Sequence, residues 1–568
     1  MSDQSTAPRM THRQVLEAIS GLLLAMFTSM MANTIVGTSL PIIVPDLGGT
    51  QTDYTWVVTA ALLTTAISTP IWGKLADLTD RKVLVLVALT FFLLASAVAG
   101  FATSPGMLIG ARAFQGIGAG GVAALTQVIM ADIISPRERG KYMGLFGVVM
   151  GVSTVGGPII GGLLTDSIGW HWNFFVGIPL GIISFVVIVR TLRLSPRANR
   201  KVRIDYLGIV LLSVAASLLL IWVTNVKDYG WASTETYTMV GGAIVATALF
   251  IWVETRAAEP VVPLSLFRNR TFTLSVLASI SIGVAMFGTA VYLGQYFQMA
   301  RGFDPTGAGL MTIPMAAGML ICSTLIGQLV TRYGAWKRYL VIGAIVMTTG
   351  NAMLATLTYD TSLILVGVYM FLLGAGMGMT MQNLVLVVQN TARPEEMGVA
   401  SSGVNFFRTI GGTAGVAVIG SVLASSMTDQ LAQRKDELTS AIAGLGAEGA
   451  SIAEQFQSGT MPITRDLPAT VQVIVEQVAA TSIAHAFLIG IPLGVLSLVA
   501  IAFLPNIPLG RKNNAERLQE QETDAVDELT ATEAAFAREG AMAVASTGAI
   551  PIVGEAPGQD APRTERRP

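Results

Sequence analysis

The sequence predicts an all-α membrane protein with many spanning helices, and three observations carry that prediction. Charged residues make up only 12% of the 568-residue chain, about half of the roughly 25% that is usual in soluble domains. Apolar residues make up 52%. Apolar runs of about 20 residues, long enough to cross a hydrocarbon core of about 30 Å, recur along most of the chain.

Fourteen apolar runs predict fourteen transmembrane helices. The run near the N-terminus is too long for a cleaved signal peptide, so we expect it to remain in the chain as the first span. Several runs exceed the ~20 residues that a perpendicular crossing needs, which predicts tilt or extension beyond the bilayer. The predicted spans cover residues 14–44, 52–76, 82–101, 106–132, 139–166, 171–192, 205–226, 234–254, 271–299, 306–331, 337–356, 360–389, 397–424 and 482–504.

Lys and Arg residues concentrate in alternate connections between these spans. The decapeptide GKLADLTDRK at 73–82 carries five charged residues, whereas the apolar runs on either side of it carry none. The positive-inside rule places the Lys/Arg-rich connections in the cytoplasm. Because the number of spans is even, both termini are predicted to be cytoplasmic as well.

A repeated turn divides the chain into two halves. The segment GQLVTRYGAWKR at 327–338 repeats the Gly, the Leu two residues later and the basic turn of GKLADLTDRK. The first copy follows span 2 and the second follows span 10, so spans 1–6 and 9–14 form two predicted six-helix halves, with spans 7 and 8 inserted between them. Such repeats are typical of secondary transporters, whose substrate site lies between the halves near the bilayer midplane.

The domain prediction follows from this repeat and from the polar segments. The tail is rich in charge and ends in a stretch with Pro and Gly, so we expect it to be partly disordered. The predicted parts are a cytoplasmic N-terminus at 1–13, a first half at 14–192, an inserted pair at 205–254, a second half at 271–504 with an outer loop at 425–480, and a cytoplasmic tail at 505–568.

Five short motifs in the first half form a specific combination. They are TIVGTSLP at 34–41, GKLADLTDRK, RAFQGIGAGG at 112–121, STVGGPIIGG at 153–162 and WHWNFFVGIPLG at 170–181. With these motifs the chain resembles the major facilitator superfamily and, within it, the fourteen-span drug:proton antiporters. Two positions depart from the family pattern, since Asp80 and Ser153 stand where glycine is usual. The resemblance implies the lipid bilayer, a small-molecule substrate and protons as partners, and no nucleic acid.

The resemblance also implies a gate on the cytoplasmic side. Asp77 is unfavourable at the C-terminal end of its own helix, and it would contact the positive N-terminus of span 13 near 398–402 and so hold the two halves together. Arg81 would pair with Asp132. The alternative is an ordinary basic turn that only orients the protein. The predicted gate residues are Gly73, Leu75, Asp77, Arg81, Lys82 and Asp132.

Arg112 and Asp53 are the candidates for proton coupling. Arg112 occupies the arginine position of the fourth-span motif, to which the family resemblance assigns a role in coupling. A long side chain near the outer end of a span can instead simply snorkel outward.

The fifth-span motif implies a flexible hinge that biases the transport cycle toward export. Glycines let neighbouring backbones approach closely and a proline breaks the helical hydrogen-bond ladder, so the alternative is ordinary small-residue packing. The predicted hinge residues are Gly156, Gly157, Pro158, Gly161 and Gly162.

Polar residues within the spans are the candidates for a substrate cavity. Arg408 lies about 16 Å along span 13 from Met397, close to the midplane, where an arginine is costly and usually faces a cavity or a partner. It would contact an anionic group or bind backbone carbonyls. The candidates are Asn33, Gln115, Gln382, Asn383, Gln389, Asn405 and Arg408.

Acidic residues are absent where many relatives carry them. Ala32 and Thr59 occupy two such positions, and no Asp or Glu lies near the midplane of any predicted span. A buried carboxylate is the simplest partner for a cationic drug and the simplest proton carrier. Neutral or anionic amphipathic substrates are therefore favoured over organic cations, and coupling would use a peripheral acid such as Asp53 or act less directly.

These observations predict a multidrug-type exporter in the inner membrane of a bacterium, working by alternating access with proton antiport. The alternatives are a lipid or natural-product exporter, an uncoupled facilitator, and, from another class, a membrane sensor or scaffold with a transporter fold. The sequence contains no P-loop signature, nucleophile–base pair or metal-ligand cluster. We therefore expect no enzymatic activity, no cofactor and no metal site.

Overall fold

A computed structural model describes residues 12–49, 51–194, 205–257, 259–303, 305–443, 445 and 467–547. Over these residues the chain is helical and contains no strand. Thirteen of the described helical segments are long and apolar enough to cross a membrane. Helix Trp336–Leu354 occupies the remaining predicted span, and Lys337 and Arg338 in its first turn lower its mean hydropathy. The prediction of an all-α polytopic protein with about fourteen spanning helices is confirmed.

The first half contains six spanning segments, and the inserted pair contains two. The helices of the first half are α1 (His12–Asp46), α2 (Gln51–Leu78), α3 (Arg81–Gly100), α4 (Pro105–Ile133), α5 (Pro136–Ser167), α6 (Trp172–Phe175) and α7 (Gly177–Thr191). The inserted pair consists of α8 (Tyr206–Tyr229) and α9 (Thr234–Glu254).

The second half repeats this arrangement with more interruptions. A π-helical turn at Tyr296–Ala300 continues its first helix. The helices are α10 (Arg270–Gln295), α11 (Pro305–Leu310), α12 (Ile313–Tyr333), α13 (Trp336–Leu354), α14 (Leu363–Thr391), α15 (Met397–Gln433), α16 (Lys435–Ala443), α17 (Ala469–Phe487) and α18 (Gly490–Ala502). A last helix, α19 (Asn514–Thr547), follows.

Capping residues fix where several helices begin. Ser104 and Ser135 cap α4 and α5, each accepting a hydrogen bond from a backbone N–H of the first turn, and a proline follows each serine at the first helical position. At the end of α12, Gly334 adopts φ of 71°, the left-handed conformation that ends helices and favours glycine. Contacts among the turns and with residues 507–514 place the turns 79–80, 134–135, 334–335 and 392–396 on one side of the bundle, which we call the basic side.

The glycines of the fourth-span motif allow α4 to pack closely against α2 and α3. A Cβ atom added at Gly116 would lie 2.3 Å from the Ala61 carbonyl oxygen on α2, and one at Gly118 would lie 2.5 Å from the Phe92 nitrogen on α3. Only glycine allows the three backbones to approach this closely.

Each half has its own apolar core, and helix pairs join the halves. Met286 of the second half packs against both cores, and Met319 of the second half packs against the core of the first half. Helix α2 packs on α15, and α5 packs on α12. Helix α8 of the inserted pair packs against both α2 and α15, so the pair lies along the seam between the halves.

The last two spans extend beyond their predicted ends. Helix α15 continues to Gln433 and α17 begins at Ala469, so both enter the predicted outer loop at 425–480. Polar residues there end the membrane-crossing part of each helix without ending the helix itself. Residues up to Asn514 belong to one compact unit, and the described residues from Ala515 onward belong to a second. The final 20 residues of the tail, predicted to be disordered, lie outside the described residues.

Candidate gate and substrate-cavity residues

The crossing of α2 and α15 brings the two halves into backbone contact at the basic side. A Cβ atom added at Gly73 would lie 2.8 Å from the Gly398 carbonyl oxygen and 2.0 Å from the Ser402 Oγ atom. A Cβ atom at Gly398 would in turn lie 2.1 Å from the Gly73 carbonyl oxygen. The first glycine of GKLADLTDRK is therefore required for this close approach.

Asp77 caps the N-terminus of a helix in the opposite half. Its Oδ1 atom accepts a 2.8 Å hydrogen bond from the Gly398 N–H, and its Oδ2 atom accepts a 3.0 Å bond from the Val399 N–H. These N–H groups have no partner within α15, and the helix dipole is positive there. The predicted contact between Asp77 and the start of span 13 is present in the structure.

Arg81 links this contact to α4. It lies at 2% exposure, its Nη2 atom is 3.2 Å from the Asp77 Oδ1 atom, and its Nη1 atom pairs with the Asp132 carboxylate. Its Nε–H also donates to the Ala76 carbonyl oxygen at 2.8 Å. The guanidinium is thus held by two carboxylates and a carbonyl, as a buried charge requires.

Two further predicted gate residues support this arrangement within the first half. The Lys82 ammonium donates to the Val189 carbonyl oxygen at 2.8 Å and the Leu192 carbonyl oxygen at 2.7 Å, where α7 ends. Leu75 packs against the core of the first half. Together they fix the turn that carries Asp77 and Arg81.

A second hydrogen-bond network joins the halves beside the Asp77 contact. The Gln389 amide donates to the Ser401 Oγ atom at 2.8 Å and to the Gln127 carbonyl oxygen at 3.3 Å, and its oxygen accepts from the Arg139 guanidinium. The Asn405 amide donates to the Gln127 Oε1 atom at 3.1 Å. Two predicted cavity residues, Gln389 and Asn405, therefore lie in a closing network between α4, α5, α14 and α15.

Sequence reasoning missed Arg139 and Gln127. Arg139 is 1% exposed, although its sequence position marks only a basic turn, and its Nη2 atom donates to the Ile134 carbonyl oxygen at 2.9 Å. Gln127 carried a usable signal, because it is a polar residue inside an apolar span.

The chain beyond α18 returns across the basic side, and we call residues 505–514 the strap. On the second half, the Trp336 Nε1–H donates to the Ile507 carbonyl oxygen at 2.7 Å. The Asn390 amide donates to the Pro508 carbonyl oxygen at 3.1 Å, and the Asn390 Oδ1 atom accepts from the Gly510 N–H at 2.8 Å. These three contacts hold the first part of the strap against α13 and α14.

The strap then reaches the first half. The Gly510 carbonyl oxygen accepts a 3.1 Å hydrogen bond from the Arg137 N–H. The Asn514 amide donates to the Asp132 Oδ1 atom at 3.0 Å and to the Pro394 carbonyl oxygen at 3.3 Å. Residues that sequence reasoning assigned to a cytoplasmic tail thus contact Asp132, a predicted gate residue.

Arg112 points into the first half and does not extend outward. It is 3% exposed, and its guanidinium donates to the Asn33 Oδ1 atom at 2.9 Å, to the Gln115 Oε1 atom and to the Val57 carbonyl oxygen at 3.4 Å. The Gln115 amide donates onward to the Ser96 Oγ atom at 2.7 Å. Every described acceptor of Arg112 is neutral, and the cluster joins α1, α2, α3 and α4.

The predicted hinge packs against α1 at one glycine. The Thr34 hydroxyl donates to the Ser153 carbonyl oxygen at 2.8 Å, and a Cβ atom added at Gly157 would lie 2.0 Å from the Thr34 Oγ1 atom. Cβ atoms added at Gly156 and Gly162 would meet no atom within 4 Å. Gly161 is buried, and Pro158 lies within the continuous helix α5.

Arg408 differs from the other buried arginines because it has few acceptors. It is 5% exposed, and its described side-chain hydrogen bond runs from its Nη1 atom to the Met381 carbonyl oxygen at 3.4 Å. No carboxylate of the described residues forms an ion pair with it. A guanidinium offers five N–H donors, and the described hydrogen bond uses one of them.

The remaining cavity candidates lie on α14. Gln382 is 5% exposed and Asn383 is 3% exposed. The Asn383 amide donates to the Met379 carbonyl oxygen of its own helix at 2.7 Å, and its buried Oδ1 atom has no hydrogen-bond partner within the described part of the chain. Arg408 donates to the carbonyl oxygen of Met381, the residue before Gln382 on α14. Gln382 and Asn383 therefore lie at about the same height in the bundle as the Arg408 guanidinium.

Carboxylates of the spanning helices cluster toward the helix ends. When α17 and α18 are taken together as the last span (Ala469–Ala502), no Asp or Glu occupies the middle third of any described membrane span. Glu476 lies in the first third of that last span. Asp53 lies in the first turn of α2, at the opposite end from the gate, and is partly exposed. Within the described residues, no group of His, Cys, Asp and Glu side chains is arranged to hold a metal ion.

Comparisons with known proteins agree with this arrangement. The model of the Major Facilitator Superfamily matches residues 22–416. The chain is 35% identical over 519 residues to the multidrug transporter protein MdtP of Bacillus subtilis (strain 168), covering 89% of this chain and 95% of that protein. It is 32% identical to the multidrug resistance protein 3 of the same organism, covering 88% and 97% of the two chains.

The fold likeness extends to solved structures. The crystal structure of the human organic anion transporter MFSD10 superposes with a TM-score of 0.55 at 15% identity, covering 84% of this chain and 99% of that one. At this identity the likeness concerns the fold alone. The family model and the bacterial relatives show that the chain is a multi-pass membrane transporter and not an enzyme, and that it belongs to the Major Facilitator Superfamily.

Proposed function

We propose that the protein exports hydrophobic or amphipathic small molecules across the inner membrane of a bacterium by alternating access, driven by proton antiport. In this proposal the basic side faces the cytoplasm, as the positive-inside rule requires, and both termini lie there. The observation that carries the proposal is the closure of the basic side by Asp77 on the Gly398 and Val399 N–H groups.

The contacts that close the basic side are of a kind that can break and reform. They consist of hydrogen bonds and glycine contacts between the halves, whereas each half keeps its own apolar core. A rigid-body motion of one half against the other would break these polar contacts and the apolar contacts of Met286, Met319 and Met381 with the first half, while the rest of each core stays together. That is the motion alternating access requires.

The printed names of the relatives support export of drug-like molecules. Both Bacillus proteins are named for multidrug transport or resistance, and their similarity covers almost the whole length of this chain and of theirs. The hinge motif on α5 is the feature of this sequence that the family resemblance connects with export.

Arg112 and Asp53 remain the candidates for proton coupling. Arg112 is surrounded by neutral acceptors on four helices, so a proton arriving at a nearby group would change the balance of charge in the first half. Asp53 lies on α2, the helix that also carries Asp77. A movement of α2 on protonation of Asp53 would therefore be transmitted to the contact between Asp77 and α15.

We further propose that the cavity favours substrates with a carboxylate or phosphate group. Arg408 supplies a buried guanidinium with one described side-chain hydrogen bond, and the middle of the described spans carries no opposing carboxylate. A guanidinium binds carboxylate and phosphate groups through paired N–H bonds that are roughly twice as strong as neutral ones. An apolar tail on the substrate would contact methionine side chains such as Met381 and Met286.

The experiment is flux in proteoliposomes under an imposed proton gradient. The probes are a lipophilic carboxylate, its neutral methyl ester, a lipophilic phosphate monoester and a lipophilic cation. We expect gradient-driven movement, with the anions moved faster than the ester and the cation. Arg408→Gln should abolish the preference for anions, whereas Arg332→Gln, on the exposed end of α12, should leave it unchanged.

The possible outcomes separate the two proposals. Faster movement of the cation would overturn the anion preference and leave the exporter proposal standing. Movement that ignores the gradient would indicate an uncoupled facilitator. Absence of flux for every probe, from folded protein, would contradict export and favour a sensor or scaffold.

A further inference from the structure

The strap makes polar contacts with both halves on the basic side. Trp336 and Asn390 of the second half bind its first part, and Arg137 of the first half binds Gly510. It therefore crosses the seam that must separate when the basic side opens.

Asn514 makes the most direct connection across this seam. Its side chain is 2% exposed, and a single amide group donates to Asp132 in the first half and to the Pro394 carbonyl oxygen in the second half. The oxygen it binds on Asp132 is the one that also pairs with Arg81. Asn514 thus holds the Asp132 carboxylate in position for Arg81 and ties it to the start of α15.

We propose that the strap is a third part of the gate and that Asn514 is a positioning residue for it. The proposal rests on the proposed function, in which the basic side opens once in each transport cycle. Opening separates Asp132 from Pro394, so Asn514 can keep only one of its two acceptors. Opening also separates Asn390 from Arg137. If the strap stays bound to Asn390, the Gly510 carbonyl oxygen loses its hydrogen bond from the Arg137 N–H. The strap therefore favours the state that is closed on the basic side.

The size of the effect follows from the number of hydrogen bonds lost. One net intramolecular hydrogen bond changes an equilibrium by about 2- to 12-fold. We expect Asn514→Ala and Asn390→Ala each to raise the ratio of open to closed molecules by such a factor. Asn514→Asp should raise the ratio further, because it places a second carboxylate against Asp132.

The test measures distances between spin labels in the full-length protein in nanodiscs. The native Cys322 is first replaced by serine, and labels are attached to cysteines at Glu138 and Arg332. These residues are exposed at the basic ends of α5 and α12, in different halves. The wild type should show mainly the short distance, and the Asn514→Ala, Asn514→Asp and Asn390→Ala variants, here called the strap variants, should populate a longer one. Arg511→Ala is the matched control, because Arg511 is an exposed residue of the strap.

Transport kinetics give a second measurement that a merely structural role would not produce. For a probe supplied from the basic side, the strap variants should lower both KM and the maximal rate, because the open state binds readily and closes slowly. Unchanged distance distributions and unchanged KM in all three variants would overturn the proposal. A wild type that moves no probe would contradict the proposed function, while the distance measurement would still decide the role of the strap.

Discussion

Two aspartates three residues apart show how one turn serves two helices. Asp80 caps its own helix, accepting hydrogen bonds from the Lys82 N–H at 2.8 Å and the Val83 N–H at 3.2 Å. Asp77 caps a helix of the opposite half. The departure of Asp80 from the family's usual glycine is therefore explained by local capping, which aspartate performs well.

This difference gives a matched pair of substitutions. Asp77→Asn keeps the shape but removes the charge from two hydrogen bonds, which costs about 1–2 kcal/mol because bonds to charged groups are the stronger ones. We expect the closed state of the basic side to lose stability by about tenfold in the open-to-closed ratio. Labels at Glu138 and Arg332 would measure this shift, and flux of a neutral probe would fall.

The control for that substitution is Asp80→Asn. Asparagine caps helices as well as aspartate does, and Asp80 accepts its described hydrogen bonds from its own helix. Its distance distribution should match the wild type. Equal shifts in both variants would mean that the general charge of the turn matters and that the capping contact of Asp77 does not.

Sequence could identify residues but only partly their contacts. The contact of Asp77 with span 13 followed from the family resemblance, and the positions of Arg112 and Arg408 inside spans followed from hydropathy. The roles of Gln127 and Arg139 could not be predicted, because they depend on which faces of α4, α5 and α14 meet. Gln389 and Asn405 were predicted for the cavity, yet they lie in the network that closes the basic side.

At the scale of helices, the contact between α1 and α5 explains why the hinge motif needs glycine at one position in particular. The bond from Thr34 to the Ser153 carbonyl brings the two helices together one turn before Gly157. The side chain at position 157 would occupy the space of the Thr34 hydroxyl. Close packing therefore explains the glycine at position 157, in the same motif for which a hinge is predicted.

Gly157→Ala should destabilise the protein, whereas Gly156→Ala should not. The added methyl group at 157 would lie 2.0 Å from the Thr34 Oγ1 atom and displace it from Ser153. Overpacking of this kind costs about 1–3 kcal/mol. A methyl group at position 156 would meet no atom within 4 Å, so Gly156→Ala is the control. Thermal unfolding in detergent, followed by tryptophan fluorescence, measures the difference in stability between the two variants. Similar melting temperatures for the two variants would contradict close contact between α1 and α5.

Helix boundaries were predictable where charge or capping marks them. Span 8 was predicted at 234–254, and α9 has those bounds. The outer ends of α15 and α17 were not predictable, because hydropathy reports where a helix leaves the bilayer and says nothing about where it ends. Internal breaks such as the π-helical turn at Tyr296–Ala300 also left no signal in the hydropathy pattern.

At the scale of the molecule, the exterior of the bundle is apolar. Leu94, Leu163 and Ile364 are 63%, 65% and 82% exposed in the isolated chain. Side chains of this kind are stable only against lipid, and the helical backbone satisfies its own hydrogen bonds there. The inserted pair adds to this surface, and α8 packs against α2. The segment that follows α9 is also bound to α2, since the Lys74 ammonium lies 2.9 Å from the Glu259 carboxylate.

Two truncations distinguish a role of the second compact unit in transport from a role of the strap. A chain that ends after Asn514 lacks α19 beyond its first residue but keeps the strap. We expect it to transport at close to the wild-type rate, because the hydrogen bonds that join the halves lie within the remaining chain. A chain that ends at residue 504 should transport more slowly. Equal loss of flux in both truncations would assign a direct role to the tail.

The position of the strap in the chain also determines the order in which the protein can be completed during synthesis. Asp77, Arg81 and Asp132 leave the ribosome early, and Gly398 follows much later. Asn514 comes last, after every spanning helix. A nascent chain can therefore insert all its spans before the contacts of Asn514 with Asp132 and Pro394 exist. These contacts form only when translation has passed the final span.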